Sequence, residues 1–311
     1  MGEVILMYYI IGEKLHECTQ EELSTTNKQY VALLTSKEWI QEKHLFKMGI
    51  DFEPKTTDIR VTKAEENYDS ITGTFFIPNR KELQSEEDKF AFALDEKGIV
   101  FIDDTKASKK IIKKIQRTKK WRLPSLERFI YDFLNEIIKD DFRILERYED
   151  ELDNMESKII NDNDELTSKR VNEIRIDNRD LKNHYEQLLD LGEVFEENEN
   201  QFFKEYNLRY FRLFINRVER LRDTSNSIRD YTKQIRDIYK THLDIKQNHI
   251  MTILTMVTTI FTPLMLIVGW YGMNFKYMPE LDYQWSYPSV FLVSILISIL
   301  ILYFFRRKNW L

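Results

Sequence analysis

Cysteine is nearly absent from this chain of 311 residues, which contains only Cys18. A single cysteine excludes a disulfide within the chain and a cysteine-based zinc site. The five histidines are also too scattered to pair at metal-ligand spacing, which favours surface or packing roles for them. The sequence therefore predicts no disulfide within the chain and no histidine or cysteine metal centre.

An excess of basic residues is lacking as well, since the formal net charge is -6. Nucleic-acid binding requires clustered Lys and Arg, so nucleic acid is not an expected partner. No Gly-rich phosphate loop, Ser/His/Asp arrangement or CxxC motif is found, and we expect no enzymatic activity. The opening MGEVILMYYI has no basic region before its apolar residues, so a first β-strand is expected rather than a signal peptide.

Charge is missing altogether from two stretches near the C-terminus, residues 250–275 and 283–305. A bilayer core requires roughly 20 apolar residues in a helix, and both stretches meet that length. The alternative is a pair of buried core helices. The second run, VFLVSILISILILYFF, has no polar face, so a water-soluble fold would have to bury it on every side. We therefore predict two membrane spans.

The flanking residues predict the orientation of these spans. Arg306, Arg307 and Lys308 follow the second span directly and form a basic segment that the positive-inside rule places in the cytosol. With two spans, the large N-terminal part is also cytosolic, and the protein is a multi-pass protein of the cell membrane. The expected interfacial aromatic residues are Trp270, Tyr271, Tyr277, Trp285 and Tyr287 on one side and Trp310 on the other.

The predicted fold class is an α/β N-terminal domain, then a long α-helical stalk and two C-terminal transmembrane helices. Short β-like runs such as YVALLTS, GTFFIP, KFAFALD and GIVFIDD are separated by turn residues, with KEWIQEKHLFKMG helical between them. The predicted divisions are an α/β domain (1–120), an antiparallel helical hairpin (121–198) with a turn at Asn161–Asp164, a stalk helix that becomes the first span (199–271), an outer loop (272–284), the second span (285–305) and a basic tail (306–311).

A polar stripe runs along the predicted stalk helix. Aspartate recurs at every seventh residue, at Asp223, Asp230, Asp237 and Asp244. The stripe continues in the same register into the first span through Asn248, Met251, Thr255, Thr258, Thr262, Met265 and Gly269. The apolar stripes beside it contain Leu221, Ile228 and Ile235 on one flank and Tyr231, Ile238 and Ile245 on the other. A solvated outer face is the ordinary explanation of a charged stripe, whereas continuity into the membrane favours an aqueous axis shared by several chains.

Between the two spans stand YGMNF at residues 271–275 and MPEL at residues 278–281. Together with the two C-terminal spans and the basic tail, these strings resemble the CorA family of magnesium channels. By itself, Gly272 followed by Met273 and Asn274 also fits a helix end, with Gly272 in the left-handed conformation.

The resemblance implies a funnel-shaped homopentamer that passes Mg²⁺, and also Co²⁺ and Ni²⁺. It assigns Gly272, Met273 and Asn274 to a selectivity filter, with a ring of Asn274 amides contacting the hydrated ion. Asn248 matches the inner pore asparagine of the family. Met251, Leu254 and Met265 are expected to form apolar collars, and Pro263 to bend the first span.

The resemblance also implies that cytosolic Mg²⁺ closes the pore by binding between subunits. Asp237 matches the family's aspartate on the stalk, and its partner on the neighbouring chain is Asp58 or Glu53. Asp223, Asp230 and Asp244 are further candidate ligands for cations. Divalent ions, membrane lipid and other copies of the chain are thus the expected partners.

The sequence departs from the family at Lys276, where many relatives have an acid, and in the order of Thr262 and Met265. Because these positions lie at the mouth and along the wall of the expected pore, the departures affect the predicted selectivity among Mg²⁺, Co²⁺ and Ni²⁺. Two alternatives stay open: a proton-coupled Zn²⁺ transporter of the same superfamily, which usually shows a changed Gly-Xaa-Asn motif, and a membrane-anchored coiled-coil scaffold without transport. Ion flux distinguishes the scaffold from either transporter.

Overall fold

The computed structural model describes residues 6–49, 52–80, 87–160 and 167–308. The chain divides into two compact units, Met1–Arg236 and Asp237–Leu311. The predicted turn at Asn161–Asp164, the start of MGEVILMYYI and Trp310 lie outside the described residues.

The first unit is built on one seven-stranded mixed sheet in the order β2-β1-β3-β7-β6-β5-β4. Its strands are β1 (Met7–Ile11), β2 (Leu15–Cys18), β3 (Tyr30–Leu34), β4 (Lys63–Glu66), β5 (Ile71–Ile77), β6 (Asp88–Leu94) and β7 (Gly98–Ile102). Only β3 and β7 pair in parallel, and the other neighbours in this sheet are antiparallel. Every run predicted as a strand contributes one, whereas the short edge strands β2 and β4 were not anticipated.

Three helices accompany the strands in sequence: α1 (Gln20–Thr25), α2 (Ser36–Phe46) and α3 (Ala107–Thr118). Thr35 caps the start of α2, because its hydroxyl accepts the Glu38 N–H while the Glu38 carboxylate accepts the Thr35 N–H. Trp39 and Phe46 of α2 are buried in a core cluster with Ala32, Ala91 and Val100 from the sheet.

A second layer of aromatic rings joins the sheet to helix α4 (Leu126–Ile137). The ring of Phe133 lies 4.5 Å from that of Phe101, 5.9 Å from that of Phe75 and 6.0 Å from that of Phe90. Close ring pairs of this kind add about 0.5–1.5 kcal/mol each beyond the area they bury. The sheet is therefore fixed to the helical part through Phe133.

Helices α5 (Asp141–Ile160) and α6 (Thr167–Glu197) form the hairpin. The sequence predicted one helix from Leu123 to Ile160, but the chain breaks after Ile137, and the Asp141 N–H donates to the Ile138 carbonyl. The break places the buried Asp141 carboxylate against Arg80, whose Nε and Nη2 donate to it at 2.6 and 2.9 Å. This ion pair to a residue far away in sequence explains why helical periodicity missed the break.

Helix α7 (Arg209–Tyr271) is the long stalk helix, and it starts at Arg209 rather than near Asn200. Asn198 and Gln201 have φ values of 50° and 55°, which an α-helix cannot contain. The Glu127 carboxylate accepts hydrogen bonds from the Lys204 N–H and the Asn207 side chain, at 2.8 and 3.1 Å. These contacts hold the segment before α7 in a turn. Helix α8 (Ser286–Arg307) follows the outer loop.

One apolar flank of the polar stripe packs inside the chain. Leu221, Ile228 and Ile235 are buried. Beside them, Ser225 donates through its hydroxyl to the Asn178 amide oxygen of α6 at 2.9 Å. The two apolar flanks were expected to suit a ring of several chains, but this flank is already buried within the single chain.

Candidate ion pathway

The outer loop begins with an extra helical hydrogen bond. The Gly272 N–H donates to the Val268 carbonyl at 2.9 Å, and the Met273 N–H donates to the Trp270 carbonyl at 3.4 Å. The φ of Gly272 is not positive, so the predicted left-handed cap is wrong. A Cβ at Gly272 would lie only 3.0 Å from the Val268 carbonyl oxygen, so a larger residue would be crowded at this position and glycine is favoured. Asn274 follows with an exposed side chain.

The second half of the outer loop is tied to the start of α8. Pro279–Asp282 forms a 3₁₀ turn in which the Leu281 N–H donates to the Met278 carbonyl at 3.1 Å. The Ser286 hydroxyl donates to the Glu280 carbonyl. The MPEL string thus forms a local turn that holds the end of the loop against the first residue of the second span.

The threonines of the predicted stripe bond to their own helix. The hydroxyls of Thr255, Thr258 and Thr262 donate to carbonyls four residues earlier, at 2.7, 2.9 and 2.6 Å. Each hydroxyl proton is used, while the oxygen keeps lone pairs that can accept from the water of a hydrated ion. The hydroxyl oxygens of these threonines can therefore accept hydrogen bonds along an ion path, but their protons are not free to be donated.

The large apolar side chains of the stripe are exposed in the single chain. Met251, Leu254 and Met265 are all more than half exposed, and a Cβ at Gly269 would meet nothing within 4 Å. Asn248 is also exposed, and its backbone carbonyl accepts the Thr252 hydroxyl at 2.9 Å. The register therefore leaves all these positions accessible on α7. Pro263 lies inside α7 without ending the helix.

The aspartates of the stripe differ in their surroundings. All four are exposed. Asp223 is paired with Arg222 at 3.1 Å, and Asp230 with Arg229 at 3.2 Å and Lys233 at 3.3 Å. Hydrogen bonds from Arg229 and then Lys233 lower the pKa of Asp230. Cations of the same helix thus already compete with a metal ion for Asp223 and Asp230.

The two candidate partners of Asp237 also differ. Asp58 ends the short turn Thr56–Asp58, is exposed, and accepts the Thr57 hydroxyl at 3.1 Å. Glu53 is held by Lys43 at 2.8 Å, and this contact lowers the pKa of Glu53. Glu53 would have to give up an ion pair to bind a metal ion, whereas Asp58 would lose one hydroxyl contact.

The basic segment closes α8. Arg306 and Arg307 lie in its last turn, where positive charge is favourable near the helix C-terminus. The Lys308 ammonium lies 5.4 Å from the centre of the Phe304 ring. The three cations therefore stand at the end of an apolar helix, as expected for a membrane boundary.

Together these features define a class of protein. Among the described residues, two helices are long and apolar enough to cross a membrane, the C-terminal part of α7 and all of α8. They follow a mixed α/β domain and a helical hairpin, and they enclose the YGMNF turn. The class is that of membrane proteins with a large extramembrane N-terminal part and a C-terminal helix pair.

Comparisons with known proteins identify the family. Residues 35–307 match the family described as CorA-like Mg²⁺ transporter protein, and the chain belongs to this family. The cobalt/magnesium transport protein CorA of Thermotoga maritima is 29% identical over 182 residues, which are 58% of this chain and 52% of that protein. The chain thus aligns with about half the length of this relative.

Solved structures share the fold. The complete structure of the CorA magnesium transporter from Methanocaldococcus jannaschii superimposes with a TM-score of 0.76 at 22% identity, covering 100% of both chains. The predicted fold class is therefore confirmed. The cytoplasmic domain of ZntB from Vibrio parahaemolyticus gives a TM-score of 0.59 at 14% identity and covers 78% of this chain and 99% of that domain. At such identities these likenesses concern the fold.

Proposed function

We propose that this protein is a passive, ion-gated channel for Mg²⁺ in the cell membrane, which also passes Co²⁺ and Ni²⁺. The observation that carries the proposal is the YGMNF turn between two membrane-length helices, inside a family match that spans residues 35–307. The N-terminal part and the basic segment lie in the cytosol, and the outer loop faces the outside.

Two spans cannot enclose a pore, so several chains assemble and each contributes α7 to its wall. The buried flank of α7 at Leu221, Ile228 and Ile235 supports this choice, since it turns against the hairpin and leaves the polar stripe exposed. A subunit number of five follows the family resemblance.

Asn274 supplies the first contact with the ion. Mg²⁺ loses its water reluctantly and prefers octahedral oxygen geometry. A ring of neutral amide oxygens binds the hydrated ion through its water, without the strong attraction of a carboxylate ring. Binding is then favourable but reversible, which conduction requires.

Cytosolic Mg²⁺ closes the channel by joining subunits. Among the residues that the structure describes, no three His, Cys, Asp or Glu side chains of one chain are placed to hold a metal ion. The family resemblance implies that the regulatory site takes ligands from two chains, Asp237 of one and Asp58 or its rival Glu53 of the next. Loss of the ion leaves carboxylates that repel each other and favours opening.

The gating proposal is tested by limited proteolysis of the full-length oligomer with and without Mg²⁺. We expect Mg²⁺ to protect the cytosolic part, and Asp237→Ala to weaken that protection. The matched control is Asp150→Ala, which removes an exposed aspartate of α5. Equal protection of Asp237→Ala and the control would contradict the role of Asp237.

Transport is tested by Mg²⁺ uptake into liposomes that contain the purified protein. Asn274→Ala should reduce uptake to the level of protein-free liposomes, while Asn216→Ala, at an exposed position of α7, should leave uptake unchanged. No uptake by the folded wild-type oligomer at low internal Mg²⁺ would refute the channel. Zn²⁺ uptake that depends on a pH gradient would instead support the zinc-transporting alternative.

A further inference from the structure

A groove between α6 and α7 carries six cationic side chains. Its volume is about 370 Å³. Three cations come from each helix, and they are Arg175, Arg179 and Lys182 of α6 and Arg229, Lys233 and Arg236 of α7. In both helices the spacing places the three side chains on one face. Two rows of positive charge therefore border the same groove, although the chain as a whole is acidic.

Neighbouring carboxylates neutralise only part of this charge. Asp230 is shared by Arg229 and Lys233, while Asp180 pairs with Arg179 at 3.1 Å. Lys182 pairs with Glu186 at 3.2 Å. None of these three carboxylates belongs to a residue that lines the groove.

The remaining two cations have no carboxylate partner in the described part of the chain. The Arg175 Nη2 donates to the neutral amide oxygen of Asn172 at 2.8 Å. Arg236 makes no ion pair among residues 6–49, 52–80, 87–160 and 167–308. The groove therefore keeps a positive excess.

The floor of the groove is polar and fixed. Asn178 and Thr232 line it and are almost fully buried. The Asn178 amide donates to the Ser225 carbonyl at 2.8 Å and accepts the Ser225 hydroxyl at 2.9 Å. Because these bonds hold α6 and α7 together at the groove, its two rows of cations keep their separation without a ligand.

A charged helix face is ordinarily explained as a surface that is simply exposed to solvent. In this groove, however, charges of one sign are concentrated. Like charges four residues apart on a helix, such as Arg175 with Arg179, repel each other and destabilise the helix. A multivalent anion removes this repulsion at several pairs at once. Arginine in particular binds phosphate oxygens with two parallel N–H bonds.

We propose that this groove binds a linear phosphate chain, either inorganic triphosphate or the phosphate tail of a nucleoside triphosphate. Its volume falls within the range of roughly 300–1,000 Å³ that is usual for small-molecule sites. None of the described residues that line it is aromatic, so they provide no platform for stacking a base, and recognition rests on the phosphates. Such an anion bridges α6 and α7 and stabilises the contact between hairpin and stalk. This role is separate from ion conduction.

The proposal is tested by isothermal titration calorimetry of the full-length protein in detergent without Mg²⁺. The ligands are sodium triphosphate and, in a second titration, adenosine triphosphate. We expect saturable binding of one triphosphate per chain that weakens as salt is added. Equal affinity for both ligands identifies the phosphate chain as the recognised group. Binding of adenosine triphosphate without binding of inorganic triphosphate would overturn the assignment.

Paired variants make the test specific to the groove. Arg175→Gln with Arg236→Gln should weaken triphosphate binding by about a hundredfold or more, because each substitution removes a charged hydrogen bond to a phosphate oxygen. Lys169→Gln with Arg220→Gln also removes one cation from each helix, but outside the groove, and should leave the dissociation constant unchanged. Equal losses in both pairs, or no saturable binding by the wild type, would overturn the site. So would groove variants that change the oligomer size without changing triphosphate affinity, since the groove would then be a subunit contact.

Discussion

The two units of the chain treat their apolar residues in opposite ways. In the first unit, Met1–Arg236, Phe133 is 1% exposed and Trp39 is fully buried. In the second unit, Asp237–Leu311, Phe291 is 60% exposed and Leu266 is 69% exposed. The same residue types thus form a core in one unit and a surface in the other. The first unit is stabilised by an apolar core of its own, whereas the apolar surface of the second must be covered by lipid or by other copies of the chain.

Helix α7 shows this contrast within one element. Its buried residues end at Ile235, one residue before the first unit ends. Up to that point one face packs on the hairpin. Beyond it, among the described residues of α7, no side chain is buried. A continuous helix therefore passes from an environment made by its own chain to one that must be supplied from outside.

The largest test of this comparison replaces one phenylalanine in each unit. Phe133→Ala should lower the free energy of unfolding of the first unit by about 3–5 kcal/mol, because it leaves a cavity among the rings of Phe75, Phe90 and Phe101. Phe291→Ala should change it by less than about 0.5 kcal/mol, since that side chain is 60% exposed and its removal leaves no buried cavity. Urea unfolding of the full-length protein in detergent, followed by near-ultraviolet circular dichroism, measures both. Similar losses would mean that the units do not differ in this way.

A smaller effect is expected from acid on the buried His184. Burial, and next the charge of Arg80, hold the pKa of His184 well below its ordinary value. The unfolded chain binds a proton near the ordinary value of about 6.5, while the folded chain does not. Stability of the first unit should therefore fall as the pH drops below that value, by up to about 1.4 kcal/mol per pH unit, until the folded pKa is reached.

Urea unfolding at a series of pH values between neutral and mildly acidic measures this contribution. His184→Gln should flatten the pH dependence, and His44→Gln, at an exposed position, should leave it as in the wild type. A pH profile that is unchanged in His184→Gln would show that the proton is bound elsewhere.

The smallest effect is expected in the second unit, at Lys276 of the outer loop. Under the proposed function, several copies of this exposed lysine repel incoming divalent ions. Lys276→Glu should raise Mg²⁺ uptake at low ionic strength by about tenfold at most and far less at physiological salt, where the Debye length is about 8 Å. Lys276→Gln provides the intermediate charge. Identical uptake by all three proteins would indicate that the lysine lies away from the ion path.

Local patterns were sufficient for many elements. The strands at YVALLTS, GTFFIP, KFAFALD and GIVFIDD and the helix at KEWIQEKHLFKMG were predicted from alternation, turn residues and helical spacing. Contacts over long sequence distances were not predictable in this way. The salt bridge between Arg80 and Asp141 and the hydrogen bonds of Glu127 decide where α4 ends and α7 begins, and neither leaves a periodic signal.

The candidate sites also divide into those that a local pattern predicts and those that only packing assembles. The register of Asn248, Thr255 and Thr262 on one helix follows from helical spacing, and the structure shows that all three are exposed. The cationic groove was missed, because its rows lie on two helices and only their packing brings them together. A search for cations at spacings of four and seven residues on both helices would have found the two rows but not their common groove.

The sequence by itself determined the two membrane-length helices, the YGMNF turn between them and the periodic polar stripe, because length, composition and helical spacing are properties of neighbouring residues. Only the tertiary structure decided the strand order β2-β1-β3-β7-β6-β5-β4, the burial of Leu221, Ile228 and Ile235 against the hairpin, and the meeting of six cations in one groove. These features depend on packing between segments far apart in the chain. Such packing is selected by the shape and burial of whole surfaces and not by any local pattern.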